Sequence, residues 1–151
     1  MRFQGVYYNS IDPKGRASIP ARFRELLKES GEDQELVVTQ EHGGIVAYPV
    51  SGWNTFLDNF DTLPDDEFRE DLYFTTVTPA TYCTFDKQGR IQLPQSLREH
   101  CQLEEDGMRD VVVVGGGKKI QIWNKTRYLE KLAEASQRQA EARQKRIDLG
   151  L

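Results

Sequence analysis

The sequence predicts an α+β protein, mainly β with short helices. It is read as two copies of one small module, packed as an internal pseudo-dimer and followed by a C-terminal helix. Three observations carry this reading. First, Asp12-Pro13-Lys14-Gly15-Arg16 through Ile19-Pro20 to Arg24 returns as Asp86-Lys87-Gln88-Gly89-Arg90 through Leu93-Pro94 to Arg98, at a constant offset of 74 residues. A repeat at fixed spacing is the mark of a duplicated unit. Second, short runs of β-branched and aromatic residues are separated by Gly-, Pro- and Asp-containing turns, as strands are. Third, each copy's turn leads into a short segment with helical apolar spacing.

The elements follow in order. Phe3 to Ile11 reads as a strand, and Asp12-Pro13-Lys14-Gly15 places Asp, Pro and Gly where a type I turn favours them. Arg16 to Ile19 is a short return strand. Pro20 occupies a first helical position, where its missing N–H is harmless. Phe23, Leu26 and Leu27 mark one helix face, and Gly31 ends the helix. Leu36–Thr39 and Ile45–Tyr48 form a hairpin around His42-Gly43-Gly44. Trp53, Phe56, Leu57 and Phe60 repeat at i, i+3, i+4 and i+7, an amphipathic helix. Phe68 and Leu72 indicate a short acidic helix.

The second copy repeats this grammar. Thr76 to Phe85 is predicted as a strand, with Pro79 at an edge or bulge. Pro94 opens a helix bearing Leu97 and Cys101. Val111–Val114 and Ile120–Trp123 form a hairpin across Gly115-Gly116-Gly117, and Thr126 to about Ile147 reads as one long helix. The domain reading is 1–50 for the first module, 51–75 for a helical linker, 76–123 for the second module and 124–151 for the C-terminal helix. About 50 residues is a small core for one module alone, so sharing a core has a stability rationale.

The chain has 151 residues and a net charge of −4. No stretch approaches the run of about 18 apolar residues that a membrane span needs, and the first residues have no signal-peptide core. The expectation is a cytoplasmic protein. Cys83 and Cys101 suggest buried apolar thiols, with no disulfide framework. The charge is segregated. Residues 1–28 carry a net +4, 29–72 a net −11, 73–110 a net −2 and 111–151 a net +5. Such a distribution permits a basic face on an acidic body, and local sign governs binding more than the total does.

Catalysis finds little support. His42 and His100 are distant in sequence, no cluster has metal-ligand spacing, and no cofactor is expected. Asp65-Asp66-Glu67 reads as a helix start that complements the dipole. Gly115-Gly116-Gly117-Lys118-Lys119 lacks the glycine spacing and the Ser/Thr of a phosphate loop, and strand residues follow it. It reads as a hairpin turn, and an enzyme acting on a phosphorylated ligand is a weak reading.

The repeated turn is the candidate site. Lys14 and Arg16 flank Gly15, Arg22 and Arg24 follow on the helix, and Arg98 repeats Arg24. The second copy offers Lys87, Gln88 and Arg90 around Gly89. Lys and Arg bind phosphates, Arg pairs with guanine and Gln with adenine. The same turn arginine could equally pair with the preceding Asp and lock the loop; spacing alone does not choose.

At these residues the chain resembles the MraZ family, bacterial regulators encoded at the head of the division and cell-wall gene cluster. The duplicated Asp-x-x-Gly-Arg, Pro, Arg pattern carries the resemblance over nearly the whole chain; one copy alone would indicate only the wider AbrB/MazE/SpoVT-like group of swapped-hairpin domains. The resemblance implies two such domains in each subunit and a ring-shaped homo-oligomer. It also implies a nucleoid-associated, sequence-specific regulator that binds short direct repeats of double-stranded DNA in its own promoter region, usually to repress transcription. By position, Lys14 and Arg16 match the first motif, and Gly89 and Arg90 the second. Gln88 departs from it, standing where a Lys is expected, and this makes the first turn the stronger. In this reading Lys14, Lys87 and Arg24 contact phosphates, while Arg16 and Arg90 lie nearest the bases. The alternative is an antitoxin-like or scaffold interaction module, against which the two copies argue.

Overall fold

The computed structural model describes residues 1–104 and 107–151. The first copy supplies β1 (Val6–Ser10), β2 (Arg16–Ser18), α1 (Ala21–Glu29), β3 (Glu35–Glu41), β4 (Gly44–Pro49) and α2 (Val50–Asp61). Next come α3 (Glu67–Leu72) and a π-helical turn (Tyr73–Val77). The second copy supplies β5 (Thr81–Thr84), β6 (Arg90–Gln92), α4 (Gln95–His100), β7 (Asp110–Gly115) and β8 (Ile120–Asn124), and α5 (Lys125–Glu141) and α6 (Arg143–Asp148) follow. No helix among the described residues is long and apolar enough to cross a membrane.

Six strands form one antiparallel sheet in the order β1-β7-β8-β4-β3-β5, and β2 and β6 form a separate ribbon. The pairing interleaves the copies. β1 lies on the second copy's hairpin through Val6↔Val114 to Ser10↔Asp110, and β5 lies on the first copy's hairpin through Glu35↔Thr84 to Val38↔Thr81. The two hairpins meet at the centre, β4 against β8. Neither copy holds its own first strand in the sheet.

Period-two side-chain alternation gives the sheet two buried faces. Leu36, Val38, Ile45, Ala47, Val111, Val113, Ile120 and Ile122 face a single core drawn from both copies, closed by the ribbon, α1 and α4 through Ala17, Ile91, Phe23, Leu27 and Leu97. Val37, Val46 and Tyr48 face the other way, against Trp53 of α2. The ring of Phe56 stacks on Trp53 with centroids 4.8 Å apart. α2, which lies in the strongly acidic segment, therefore covers the face opposite the ribbon.

The predicted hairpins, α1, α2 and α3 are all present, and Asp66 caps α3 by accepting a hydrogen bond from the N–H of Arg69 at 3.0 Å. Gly31 follows the cap of α1, where the N–H of Gly31 reaches Lys28 O and that of Glu32 reaches Leu27 O. Four expectations need correction. The first strand is shorter than Phe3–Ile11, although Phe3 still makes an isolated bridge to Gly117. The predicted strand over Thr76–Phe85 is helical at its start. There Thr75 and Thr78 hydroxyls donate to the carbonyls of Asp71 and Phe74, four residues back, and β pairing begins only at Thr81. Such back-bonding lets threonine stay in a helix despite its β preference. Pro20 and Pro94 stand one residue before their helices, with ψ of 141° and 136°, as caps rather than first helical residues. The long C-terminal helix breaks at Ala142, and nothing in the neighbouring sequence marks the break.

Both cysteines are free and buried. Desolvation pushes each thiol up to about 11. Thiolate is the nucleophile, so neither is a reactive thiol near neutral pH.

Candidate nucleic-acid interface

Each repeated turn is built by its aspartate. The carbonyl of Asp12 accepts the Gly15 N–H at 2.9 Å, and Gly15 then takes φ +82°. This is a type I turn followed by a left-handed residue, a common three-residue hairpin loop. Asp12 Oδ1 accepts the N–H groups of Lys14 (3.0 Å) and Arg16 (2.8 Å), and Oδ2 accepts Arg16 Nε at 2.6 Å. Asp86 repeats the pattern with Gln88 N–H, Arg90 N–H and Arg90 Nε at 2.8–2.9 Å. The Asp–Arg lock is thus present in both copies. It fixes each guanidinium through its Nε–H.

The two turns are stitched together across the copies. The N–H of Ile19 donates to Gly89 O and that of Leu93 to Gly15 O, both at 3.1 Å. Arg90 Nη1 also lies 3.6 Å from Asp12 Oδ2. The glycines are buried, each beneath an arginine of the other copy: Arg98 covers Gly15 and Arg24 covers Gly89. Those two arginines are anchored in turn, Arg24 Nε to Ile19 O and Arg98 Nε to Leu93 O, both at 3.0 Å, and Arg98 also pairs with Glu104. Each glycine thus makes room for a guanidinium. Gly15→Ala would force a side chain into the left-handed region and into Arg98. It is expected to destabilise the protein by about 1–3 kcal/mol, read as a lower urea midpoint with an unchanged slope.

The ribbon register sets what faces outward. Arg16 lies opposite Gln92, Ala17 opposite Ile91 and Ser18 opposite Arg90. Ala17 and Ile91 point into the core, so Arg16, Ser18, Arg90 and Gln92 form a row on the other face. Lys14, Lys87 and Gln88 are exposed at the turns, and Arg22 is exposed on α1 with a 3.5 Å pair to Glu25. One difference between the copies bears on the turn arginine. Gln88 accepts a hydrogen bond from Arg90 Nη2, whereas the corresponding Lys14 can only donate. Of the candidate residues, the structure gathers Arg16, Arg90, Lys14, Lys87 and Gln88 at the ribbon and its turns, and gives Arg24 and Arg98 backbone partners behind them. Gln92 and Ser18 were missed. Gln92 donates to Lys14 O at 2.7 Å and tethers the first turn to the second copy's strand. The alternation in Arg16-Ala17-Ser18 and Arg90-Ile91-Gln92 was the signal for both.

The carboxyls of Asp12 and Asp86 are held below the ordinary carboxylate range. The chief cause is the hydrogen bond from the Arg16 or Arg90 backbone N–H; desolvation opposes it, and the guanidinium side chain adds to it. A depressed folded-state value contributes stability above the unfolded value of about 3.9 and loses it as pH falls through the folded one. Stability gained from these turns is therefore expected to be flat from pH 7 to 5 and to fall below about pH 4. In thermal melts across that range, Asp12→Asn/Asp86→Asn should flatten the acid limb; an unchanged limb would place the titration elsewhere.

Elsewhere, the Gly115–Gly117 segment links β7 to β8 and exchanges hydrogen bonds with Phe3, with its strand continuing as expected for a hairpin. His42 sits in the β3–β4 turn at φ 54°, and His100 is exposed at the end of α4. Among the described residues no group of three or more His, Cys, Asp or Glu could hold a metal.

Comparison with known proteins brings in relatives over the whole chain. The sequence model of the family described as "MraZ protein, putative antitoxin-like" matches residues 76–148. A protein of Syntrophotalea carbinolica named "Transcriptional regulator MraZ" is 47% identical over 135 residues, covering 89% of each chain. Proteins of the same name from Heliobacterium modesticaldum and Pediococcus pentosaceus are 36% and 34% identical, each covering 99% of both chains.

Proposed function

The chain belongs to the MraZ family, and on that footing we propose that it is a transcriptional regulator reading double-stranded DNA through the outward row of the β2–β6 ribbon. The observation that carries this is the pair of arginines, Arg16 and Arg90, displayed on one face of a two-stranded ribbon with their Nε edges locked. A two-stranded ribbon fits the major groove, and an arginine fork pairs with guanine O6 and N7. Locking the guanidinium through Nε lowers the conformational entropy lost on pairing, so the side chain arrives oriented. Ser18 and Gln92 add neutral hydrogen-bonding groups to the same row. Lys14 and Lys87, exposed at the two turns, are suited to the flanking phosphates.

The ribbon also sets a spacing. Arg16 and Arg90 stand two residues apart along it, about 7 Å at ordinary strand rise. DNA rises by about the same amount in two base pairs. The proposed reading unit is thus two guanines about two base pairs apart, with Arg16 dominant because Arg90 is already engaged by Gln88. A single unit of this size binds weakly. Several units joined in a homo-oligomeric ring would bind short direct repeats tightly through effective concentration. The expected targets are such repeats upstream of its own reading frame in the division and cell-wall cluster, with repression as the outcome. Each subunit is read as two AbrB-like swapped-hairpin domains, a reading supported by the exchange of β1 and β5 between the hairpins.

Electrophoretic shift on the DNA upstream of the gene tests the proposal. A specific complex should resist a shuffled competitor and weaken steeply as salt rises, since phosphate contacts release counterions. Equal competition by shuffled DNA would oppose it.

A further inference from the structure

The two copies treat the arginines over their turn glycines differently. Arg98, over Gly15, receives an anion from its own chain. α4 ends early, Leu103 N–H returns to Arg98 O at 2.9 Å, and Glu104 Oε1 accepts from Arg98 Nη1 at 2.7 Å. Arg24, over Gly89, has the same Nε anchor on a backbone carbonyl. Among the described residues, however, no carboxylate pairs with it. The cause is the longer helix. α1 runs on to Glu29, and its closing bond, from Glu32 N–H, lands on Leu27 O, beyond Arg24. Glu32 is turned to Ser51, accepting from its N–H at 2.7 Å and its hydroxyl at 2.8 Å. At the 74-residue offset, Ser30 stands where the second copy has Glu104.

Beside Arg24 lies a pocket of about 300 Å³ between α1 and the second turn. Arg24, Lys28 and Lys87 bring three cations to it, and Ala21 and Phe85 add apolar surface. Of the acids that also line it, Glu25 is paired with Arg22 and Asp86 is locked to Arg90, which leaves Asp33. Positive charge is therefore in excess around a half-buried guanidinium.

We infer that this pocket binds a small phosphomonoester, with its phosphate on the terminal nitrogens of Arg24 between Lys28 and Lys87 and its organic part against Phe85. A phosphomonoester carries about −1.5 to −2 charges at pH 7, which matches that excess, and arginine pairs with phosphate through two parallel bonds. The volume is at the lower end of the range of about 300–1,000 Å³ for ligand pockets, so the ligand is small. A bound phosphate does for Arg24 what Glu104 does for Arg98: it holds the guanidinium over the other copy's turn glycine. Gly89 precedes Arg90, so occupancy orders the second turn of the ribbon. That consequence rests on the DNA reading proposed above, whereas the site itself does not, and it makes the ligand an effector.

Titration calorimetry of the full chain with phenyl phosphate, without DNA and in phosphate-free buffer, tests the site. One molecule should bind per chain with a Kd below about 1 mM, and a second should not, because Glu104 fills the equivalent place. Arg24→Lys keeps the charge and loses the fork, and Lys28→Ala removes a charge at an exposed position. Each should weaken binding about tenfold with an unchanged circular dichroism spectrum. No binding by the wild type, or binding indifferent to both variants, would overturn the site. Fluorescence anisotropy with the upstream duplex at constant ionic strength then reads the coupling. Saturating phenyl phosphate should raise the wild type's DNA affinity about fivefold or more, and the same concentration should raise that of Lys28→Ala less. Competition between phenyl phosphate and the duplex would overturn the effector and give the pocket to the DNA backbone. One-to-one binding by a protein that shifts no DNA would support the site while removing the DNA reading.

Discussion

Arg16→Ala is expected to lower affinity for the upstream DNA by tenfold to a thousandfold while leaving the fold intact. The fold survives because Asp12 keeps its backbone partners, Lys14 N–H and Arg16 N–H, which do not depend on the side chain. The loss follows from the removed guanine fork, worth about 1–3 kcal/mol for one contact. It multiplies when several subunits of one assembly bind together. Arg16→Lys separates charge from geometry, since lysine keeps the charge without the fork. It should retain salt-sensitive nonspecific binding and lose discrimination against shuffled DNA. Arg90→Ala should show the same pattern at smaller amplitude, because Gln88 already occupies one of its terminal nitrogens. Fluorescence anisotropy with matched and shuffled duplexes at one fixed salt concentration reads all three variants.

Phe23→Ala is expected to give the largest loss of stability. Phe23 is fully buried on α1, and its ring meets Phe3 and Tyr7 edge-on with centroids 5.4 and 5.3 Å away. Removing it leaves a cavity beneath β1, the strand that the second copy's hairpin holds. Such truncations cost about 3–5 kcal/mol, a large part of the 5–15 kcal/mol that typically separates folded from unfolded chains. The thermal midpoint should fall by about 10 °C or more. Because one core serves both copies, the loss should appear as a single transition at a lower temperature. Separate melting of two halves would contradict the shared core.

Much of this architecture is legible in the residues alone. The 74-residue offset located both turns, both capping prolines to within one residue, and both central hairpins. Pairing was not legible. Local pattern shows that Val6–Ser10 prefers a strand, but not that its partner is Asp110–Val114 instead of its own copy, because two hairpins of the same build offer similar edges. Thr75-Thr76-Val77-Thr78 misled for a different reason: β-branched residues suggest a strand, yet here hydroxyls bond back along a helix. At the site, spacing found the arginines and left their role divided between lock and ligand contact. The register makes the two roles compatible in the proposed reading: Nε makes the lock, while strand alternation places the side chain on the outer face of the ribbon. Arg24 and Arg98 could not be sorted from Arg16 and Arg90 by sequence, since the glycines they cover lie in the opposite copy.

The most direct test of a major-groove-reading ribbon is methylation interference on the upstream duplex, compared between the wild type and the two arginine variants. Methylation at guanine N7, which lies in the major groove, should block binding of the wild type. Arg16→Ala should relieve that block at one set of guanines, and Arg90→Ala at a set about two base pairs away. Binding indifferent to N7 methylation, or an interference pattern unchanged in both variants, would contradict the ribbon as the reading surface.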